Sequence, residues 1–298
     1  MGEITNLATD VKTTERDIRA TQNHMGVVWN EKGIETTEND SLTVMKDKFK
    51  NAEICIVNGN NGLRLYHCDT SANKIYELNP DTLSVIKTVG SIGHAPAGIG
   101  GGMDGDKLRL YHTDVAENAL YEIDIDTLEI VNSTEGYGLP YGIGGGWDGT
   151  KLRLYHCDYY VSEIYELNPD TLAMINSKYY SDVSMIGMGG GWDGTKLRIY
   201  NTDLDGNMIY EYNPDTLHPI MTSRSVGAMP SGIGGGWDGN KLRLYYCDGD
   251  QKKIYELNPD TLEAIKGANT IGESPIGIGG GYSFGRYIEY EGKKVYLK

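Results

Sequence analysis

A β-propeller is the fold class that the sequence predicts, and one repeated motif is the main reason. The string GIGGGWDGTKLRLYHCD begins at Gly142, and closely similar strings occur at three other places in the chain. The arginine of this motif recurs at intervals of 45, 44, 45 and 45 residues, a period typical of propeller blades. The repeats contain short alternating apolar runs and no helical periodicity, which excludes an array of helical repeats. The equivalent arginines are Arg64, Arg109, Arg153, Arg198 and Arg243.

Each repeat divides into four short strands separated by turns. In the repeat that contains Arg153, a glycine-rich strand at 142–146 precedes a WDG turn, and an alternating strand follows at 151–156. A third strand is predicted at 163–167, and a weaker fourth strand at 172–176 follows an NPDT turn. Glycines are expected in the first strand because the inner strands of a propeller crowd around its axis.

The number of blades depends on how the two ends of the repeat region are interpreted. Five repeats are complete, the first beginning at Ile54, and a sixth begins at Pro275 but ends after about three strands. The preferred prediction is a propeller over residues 51–298 with six blades, the last of them short. A five-bladed ring with a C-terminal extension is the alternative.

The repeated arginines are expected to be buried, because both faces of a blade pack against neighbouring blades. A buried charge needs a partner, and a glutamate recurs on the adjacent strand of every repeat. We therefore predict a structural ion pair in each blade. The glutamates are Glu77, Glu122, Glu166, Glu211 and Glu256.

The first fifty residues do not follow the repeat and are predicted to be helical. Apolar residues and threonines recur in a 3–4 spacing from Ile4 to Val28, which indicates a coiled coil or one amphipathic helix packed on the propeller. A second short helix is predicted over 42–49, with Asp40 or Ser41 as its cap. Residues 1–50 are therefore expected to be a stalk or attachment segment, and a coiled coil there would make the protein a homo-oligomer, preferably a trimer.

The segment KGIETTENDSLTVMKDKFKN, together with the helix before it, resembles linker segments in tail and fibre proteins of phages that infect low-GC Gram-positive bacteria. The resemblance covers roughly residues 10–51. It implies a virion protein, synthesised in the bacterial cytoplasm, that contacts other virion proteins through residues 1–50. The repeats are similar to bacterial propellers with NPDT-type turns, which include enzymes, lectins and scaffolds, so this similarity does not select a function.

Composition and charge restrict the classes of partner. The chain has 27 basic and 42 acidic residues, and its formal charge of −15 disfavours nucleic acids and anionic membrane surfaces. No apolar run reaches the roughly 18 residues of a membrane helix, and the N-terminus lacks the order of a secretion signal. Three cysteines occupy equivalent positions in different repeats, where they should not reach one another, so we expect no disulfides.

The loops on one edge of the blades differ from repeat to repeat, whereas the turns on the other edge are nearly uniform. The variable loops are rich in tyrosine, with Asp and Asn, a combination typical of sugar binding, since tyrosine rings pack on pyranose faces and polar groups bind hydroxyls. The alternative is that tyrosine simply replaces phenylalanine in exposed loops. The candidate ligand-binding residues are His94, Tyr137, Tyr159, Tyr160, Tyr179, Tyr180, Asp205 and Asp250.

A ring of tryptophans is the alternative candidate site. Trp147, Trp192 and Trp237 share one blade position, and Met103 and Tyr282 replace tryptophan in the two other copies. Such a ring would offer identical pockets around the propeller. Packing of each WDG turn against the next blade is the favoured explanation.

Nothing in the sequence predicts an enzyme, a cofactor or a metal site. No G-x-S-x-G or H-E-x-x-H motif occurs, and no pair of carboxylates breaks the repeat. The sequence Asp203-x-Asp205-x-Asn207 opens like a calcium loop but has Pro214 where the last acidic ligand is required. The aspartate and histidine that recur after the second strand are interpreted as loop caps and hydrogen-bonded core groups.

Together these observations predict a non-enzymatic virion protein whose propeller displays a binding surface for a host cell-surface glycan. An oligomeric stalk would convert weak sugar contacts into avidity. Two alternatives stay open: a structural decoration protein of the head or tail that binds no ligand, and a polysaccharide-degrading propeller enzyme.

Overall fold

The computed structural model is mainly β and describes residues 62–90, 93–105, 107–223, 227–269 and 272–283, together with two further strands near the C-terminus. In the range 62–283, the strands form five antiparallel four-stranded sheets. These sheets are the blades of a propeller, numbered I–V below, and strands are numbered in chain order.

Every blade runs from an innermost strand to an exposed outermost strand. The strands of blade I are β1 (Gly62–Asp69), β2 (Lys74–Leu78), β3 (Val85–Gly90) and, innermost, β20 (Pro275–Ser283). Those of blade II are β4 (Pro96–Asp104), β5 (Lys107–Asp114), β6 (Ala119–Ile123) and β7 (Ile130–Glu135). Those of blade III are β8 (Pro140–Trp147), β9 (Leu152–Asp158), β10 (Glu163–Leu167) and β11 (Met174–Tyr179). Those of blade IV are β12 (Met185–Trp192), β13 (Leu197–Asp203), β14 (Met208–Tyr212) and β15 (Pro219–Thr222). Those of blade V are β16 (Pro230–Trp237), β17 (Leu242–Asp248), β18 (Lys253–Leu257) and β19 (Ala264–Asn269).

The ring has five blades, so the prediction of six is wrong and the five-bladed alternative is confirmed. The glycine-rich strand β20 does not start a new blade but pairs with β1, where Gly280 lies opposite Leu65. The last repeat therefore supplies the innermost strand of blade I, a place that the sequence analysis gave to the segment beginning at Ile54. Strand pairing across the two ends of the ring closes it.

Residues 1–61 and 284–298 group as a second compact unit. Within it the structure describes only a hairpin, formed by β21 (Tyr287–Tyr290) and β22 (Lys293–Tyr296). The predicted coiled coil over 4–28 and the predicted helix over 42–49 lie outside the described residues. No helix long and apolar enough to cross a membrane is found in the part of the chain that the structure describes.

Within a blade, the predicted strands are confirmed with small shifts at their ends. The third strand of blade III has the predicted bounds, but the fourth begins at Met174 rather than at residue 172. Leu172 still belongs to the NPDT turn, because its φ is +57° and its N–H donates to the carbonyl of Asn168 at 2.8 Å. A leucine in this left-handed conformation costs some conformational energy, which its complete burial offsets.

The innermost strands approach one another so closely that only glycine fits. A Cβ atom added to Gly100 of blade II would lie 2.6 Å from the carbonyl oxygen of Ile143 in blade III. The corresponding Cβ on Gly189 of blade IV would lie 2.4 Å from the carbonyl oxygen of Ile233 in blade V. The glycine-rich motif is therefore a structural requirement of the axis, as predicted.

The apolar core lies between blades rather than within them. Tyr111 and Leu120 of blade II pack with Ile143 and Leu154 of blade III in one cluster of buried residues. The closing interface is built in the same way, since Leu65 of blade I belongs to a cluster with residues of blade V. Burial of this apolar surface is the main stabilising contribution to the ring.

A buried arginine in every blade joins that blade to the next. Arg109 donates from Nε and Nη2 to the carboxylate of Glu122 at 2.8 Å, which confirms the predicted ion pair within blade II. Its Nη1 also donates to Asp170 at 2.6 Å and its Nη2 to the carbonyl of Pro169 at 2.9 Å, both in the NPDT turn of blade III. The guanidinium lies 5.6 Å from the ring centroid of Tyr111. This contact with the next blade was not predicted.

The inter-blade contact repeats around the whole ring. The arginine of blade V, Arg243, donates to Asp81 of blade I at 2.6 Å, so the series closes on itself. Burial alone would lower the pKa of Arg243, but its hydrogen bonds to Glu256 and Asp81 raise that pKa above the ordinary arginine value. The remaining partners in the next blade are Asp126 for Arg64, Asp215 for Arg153 and Asp260 for Arg198.

The antiparallel order gives the ring two different faces. We call the edge with the WDG and NPDT turns the turn face, and the edge with the loops after the second and fourth strands the loop face. Gly62 pairs with Ser283 at the turn-face end of β1 and β20. The chain therefore enters the ring at Gly62 and leaves it at Ser283, which are neighbouring points on the turn face.

Candidate functional site

A buried aspartate holds together the loops of each blade on the loop face. In blade III, Oδ1 of Asp158 accepts hydrogen bonds from the N–H groups of Tyr160 at 2.7 Å and Val161 at 3.1 Å. Its Oδ2 accepts one from the N–H of Leu139 at 3.1 Å, in the loop that arrives from blade II. The predicted role of these aspartates as loop caps is confirmed. The equivalent residues are Asp69, Asp114, Asp203 and Asp248.

Four tyrosines of blade III lie on the loop face and form the candidate site, which we call the tyrosine stripe. Tyr141 on β8 and Tyr159 in the loop after β9 are half-buried, with ring centroids 5.4 Å apart. Tyr160 in the same loop is 79% exposed, and Tyr179 at the end of β11 is 64% exposed. These two rings are therefore accessible to a ligand.

Only blade III has tyrosines at all four positions of the stripe. Their equivalents in other blades are small, aliphatic or polar, so the stripe breaks the repeat rather than following it. The described equivalents of Tyr141 are Ala97, Ile186, Ser231 and Ile276, and those of Tyr159 are Thr70, Val115, Leu204 and Gly249. The equivalents of Tyr160 are Ser71, Ala116, Asp205 and Asp250. Those of Tyr179 are Gly90, Glu135 and Asn269.

Two of the candidate tyrosines pack between blades instead of facing solvent. The hydroxyl of Tyr137 donates to the carbonyl of Leu172 at 2.7 Å, and its ring packs edge-on against His156 and Tyr165. Tyr180 likewise donates to the carbonyl of Leu217 and belongs to the apolar cluster between blades III and IV. The hydroxyls and rings of Tyr137 and Tyr180 thus already have protein partners, and a ligand role for either of them stays a prediction.

The other three candidates belong to other blades and do not form one site with the stripe. His94 is 81% exposed next to blade II, where its Nδ1 lies 2.9 Å from Oε1 of Glu117. Asp205 in blade IV is exposed and accepts a hydrogen bond from Ser184. Asp250 in blade V is exposed at the equivalent position. A ligand role for any of the three stays a prediction.

The tryptophan ring packs the turn face, in agreement with the favoured explanation. A Cβ atom on Gly149 would lie 3.6 Å from the ring of Trp192, and one on Gly194 would lie 3.1 Å from the ring of Trp237. Trp192 and Trp237 thus cover the WDG turns of the preceding blades. Around the axis, this ring encloses only about 20 Å³, enough for about one water molecule. Trp147 lines the same space, and a role of the tryptophans in ligand binding stays a prediction.

The buried histidine and the buried cysteine of blade III are held in neutral forms. Nδ1 of His156 lies 3.0 Å from the carbonyl oxygen of Gly142, and burial lowers its pKa to about 4. Asn201 occupies the equivalent position in blade IV and donates to the carbonyl oxygen of Gly187 at 2.6 Å, so an amide side chain makes the same hydrogen bond there without an imidazole. Burial raises the pKa of the Cys157 thiol to about 12, which makes it a poor nucleophile. The predicted role of the histidines as hydrogen-bonded core groups is confirmed.

The described cysteines form no disulfide, although ring closure brings two of their blades together. Cys68 of blade I and Cys247 of blade V lie in neighbouring blades, contrary to the expectation that such positions are never adjacent. Both are free and buried. Among the described residues, no group of three or more His, Cys, Asp and Glu is arranged to hold a metal ion.

A carboxylate lies within the tyrosine stripe. Glu163 begins β10 and pairs with Asp158 on one side and with Tyr179 on the other. Its Oε2 accepts a hydrogen bond from the hydroxyl of Tyr165 at 2.9 Å. Burial raises the pKa of Asp158 despite its bonds to backbone N–H groups, and the nearby charge of Glu163 adds to this rise. Two carboxyl groups therefore lie opposite each other at this end of blade III.

Tyr141 and Glu163 were missing from the candidate set, and the repeat itself could have identified them. Aligning the blades shows an aromatic residue at position 141 where other blades have small or aliphatic residues. The same alignment shows a carboxylate at position 163, where the other blades have Lys74, Ala119, Met208 and Lys253.

Comparison with known proteins adds no family. No protein-family model matches the chain, and no curated protein sequence matches it. Solved structures with a similar arrangement include a streptogramin B lyase, at 15% identity and a TM-score of 0.44 over 82% of this chain and 78% of that one. Glutaminyl cyclase from Myxococcus xanthus matches at 13% identity and a TM-score of 0.42, over 62% of this chain and 69% of that one. A chain of a nidogen/laminin complex matches at 16% identity and a TM-score of 0.46, over 73% and 98%. Similarity at this level carries no argument about function, and the propeller assignment stands on the strand pairing described above.

Proposed function

We propose that the propeller is a non-enzymatic carbohydrate-binding domain whose site is the tyrosine stripe. The observation that carries this proposal is the exposure of Tyr160 and Tyr179 in the one blade that breaks the repeat. Exposed aromatic rings next to polar groups suit a sugar, which presents an apolar face and a rim of hydroxyls. A scaffold without a ligand has no need of two exposed tyrosines at these positions.

The fixed backbone around the stripe supports the same proposal. Asp158 accepts a hydrogen bond from the backbone N–H of Tyr160 and so fixes that loop. The N–H of Tyr180, next to Tyr179, donates to the carbonyl of Ser162 at 2.9 Å. The rings are therefore presented by an ordered surface, which lowers the entropy lost on binding.

We further propose that the protein displays this site on a phage particle, towards the surface glycan of a Gram-positive host. The support is the resemblance of residues 10–51 to linker segments of phage tail and fibre proteins. Attachment to other virion proteins through residues 1–50 and a trimeric assembly belong to the same proposal. Several weak sites on one particle would add up to useful avidity.

The proposal is tested by binding of the full chain to a panel of neutral and charged bacterial cell-wall and capsular oligosaccharides. Tyr160→Ala and Tyr179→Ala should each weaken binding by roughly three- to tenfold, the range expected for loss of one aromatic contact. Ile265→Ala is the matched control, because Ile265 is 58% exposed on the outer strand of blade V, away from the stripe. Equal binding by all variants would contradict the assignment of the site.

Two other outcomes of the same assay distinguish the alternatives. Shortening of an oligosaccharide during incubation would contradict the non-enzymatic part of the proposal. Absence of binding to every sugar at millimolar concentration would favour a decoration protein without a ligand.

A further inference from the structure

The strongest feature beyond the aromatic rings is the carboxylate that the stripe contains. Glu163 pairs directly with Tyr179 in the register of β10 and β11, and directly opposite residues have Cβ atoms about 5 Å apart on the same side of a sheet. The side chain is half-buried, and Tyr165 holds one carboxylate oxygen in place. A group resting on the Tyr179 ring is therefore next to a negative charge.

Blade III carries no described cation that would neutralise this charge. Asp158, on the other side of Glu163, is a second carboxylate on the same side of the sheet. Lys178 is adjacent in sequence, but alternation along β11 directs it to the opposite side, where its Nζ lies 2.7 Å from Nε2 of His218. At the position of Glu163, two other blades have a lysine instead, Lys74 and Lys253. The negative charge is thus specific to the blade that carries the stripe.

We infer that Glu163 makes the stripe selective for sugars that carry a free ammonium group, over neutral sugars and even more over acidic ones. This inference rests on the proposed carbohydrate-binding function. An ammonium group on the Tyr179 ring would make a cation–π contact and an ion pair with Glu163 at the same time. A carboxylate or phosphate in that place would be repelled by Glu163, so acidic polysaccharides are disfavoured. Glu163 is a specificity-determining residue in this account.

The test compares three oligosaccharides of equal length with the full chain: a glucosamine hexamer, an N-acetylglucosamine hexamer and a galacturonic acid hexamer. Titrations are run at a pH where the amine is protonated, at low and at higher salt. We expect roughly three- to tenfold tighter binding of the amine than of the neutral hexamer, and the weakest binding for the acid. The preference for the amine should decrease with salt.

Two variants separate a local effect from the attraction of an acidic protein for any cation. Glu163→Gln retains an oxygen that accepts the bond from Tyr165, and it should remove the preference by weakening binding of the amine hexamer to the level of the neutral one. Glu263→Gln is the matched control, because it removes an exposed carboxylate from blade V, away from the stripe. This control should keep the preference.

The outcomes distinguish this inference from the proposed function. Equal binding of amine and neutral hexamers, with loss of both in Tyr179→Ala, would overturn the selectivity and leave the sugar site standing. A preference that persists in Glu163→Gln, or that decreases equally in Glu263→Gln, would overturn it too, because the overall charge would then be its source. Binding of none of the three hexamers by the wild-type protein would overturn both.

Discussion

At the scale of single residues, each repeated arginine contacts its own blade and the next one at once. Arg109 has two partners in the turn of blade III, while Glu122 neutralises it within blade II. Removing one partner of a buried ion pair leaves the other charge uncompensated, which costs more than the pair itself contributes. The arginine thus links the stability of one blade to the position of the next.

Glu122→Gln should therefore destabilise the propeller by roughly 2–4 kcal/mol, somewhat less than a complete loss of partners because Asp170 remains. The measurement is the free energy of unfolding from denaturant titration. Glu129→Gln is the control, since Glu129 is exposed in the turn between β6 and β7 of the same blade. A loss of less than 0.5 kcal/mol in Glu122→Gln would contradict the account of the arginine.

The buried histidines predict how stability depends on pH. The folded state lowers the pKa of His156 to about 4, below its ordinary value of 6.5, because the charged form would lose its hydration. The neutral side chain therefore contributes its full stabilisation above about pH 6.5 and loses it as the pH falls towards 4. The unfolded chain binds a proton more readily than the folded one in this range.

Wild-type protein should lose on the order of 2 kcal/mol of unfolding free energy through His156 between pH 7 and pH 4.5. His156→Asn, which copies Asn201 of blade IV, should make this loss smaller. The difference between the two proteins at the two pH values is the measurement. An identical pH dependence would contradict the assignment of a neutral buried imidazole.

At the scale of elements, closure of the ring depends on one strand. Strand β20 covers the inner edge of β1 over its whole length, with Gly62 opposite Ser283 at one end and Asp69 opposite Pro275 at the other. The sequence could not show this, because the same glycine-rich pattern begins every blade and fits a sixth one equally well. Only the pairing register tells that this copy completes blade I.

Truncation after residue 274 should open the ring and leave β1 with an unpaired inner edge. We expect rapid amide hydrogen exchange over Gly62–Leu78 and a lower unfolding temperature, because the apolar cluster between blades I and V would also be exposed. Truncation after Ser283 retains β20 and serves as the control, in which exchange over Gly62–Leu78 should match the full chain. Unchanged protection in the shorter protein would contradict the closure.

At the scale of the whole molecule, the sequence predicted the features that repeat and missed those that depend on the ring. The propeller, the four strands of a blade, the arginine–glutamate pairs and the aspartate caps all follow from patterns that occur in every repeat. Contacts between blades, such as that of Arg109 with Asp170, join residues about 60 positions apart and leave no local pattern.

The candidate site was predicted only in part, for a related reason. Tyr160 and Tyr179 are exposed, as expected for tyrosines in variable loops. Tyr137 and Tyr180 are in the same kind of loop, but their hydroxyls reach carbonyls of a neighbouring turn, and sequence alone does not show which tyrosines have such a carbonyl within reach.

The central claim is that the loop face of blade III binds the ligand while the turn face carries the chain connections. Hydrogen exchange of the full chain, with and without a saturating concentration of the sugar that binds best in the panel, tests it most directly. The account predicts slower exchange in peptides that cover 157–164 and 176–183, and no change in peptides that cover the WDG turns. Protection confined to the turns at Trp147, Trp192 and Trp237 would contradict it and assign the site to the tryptophan ring.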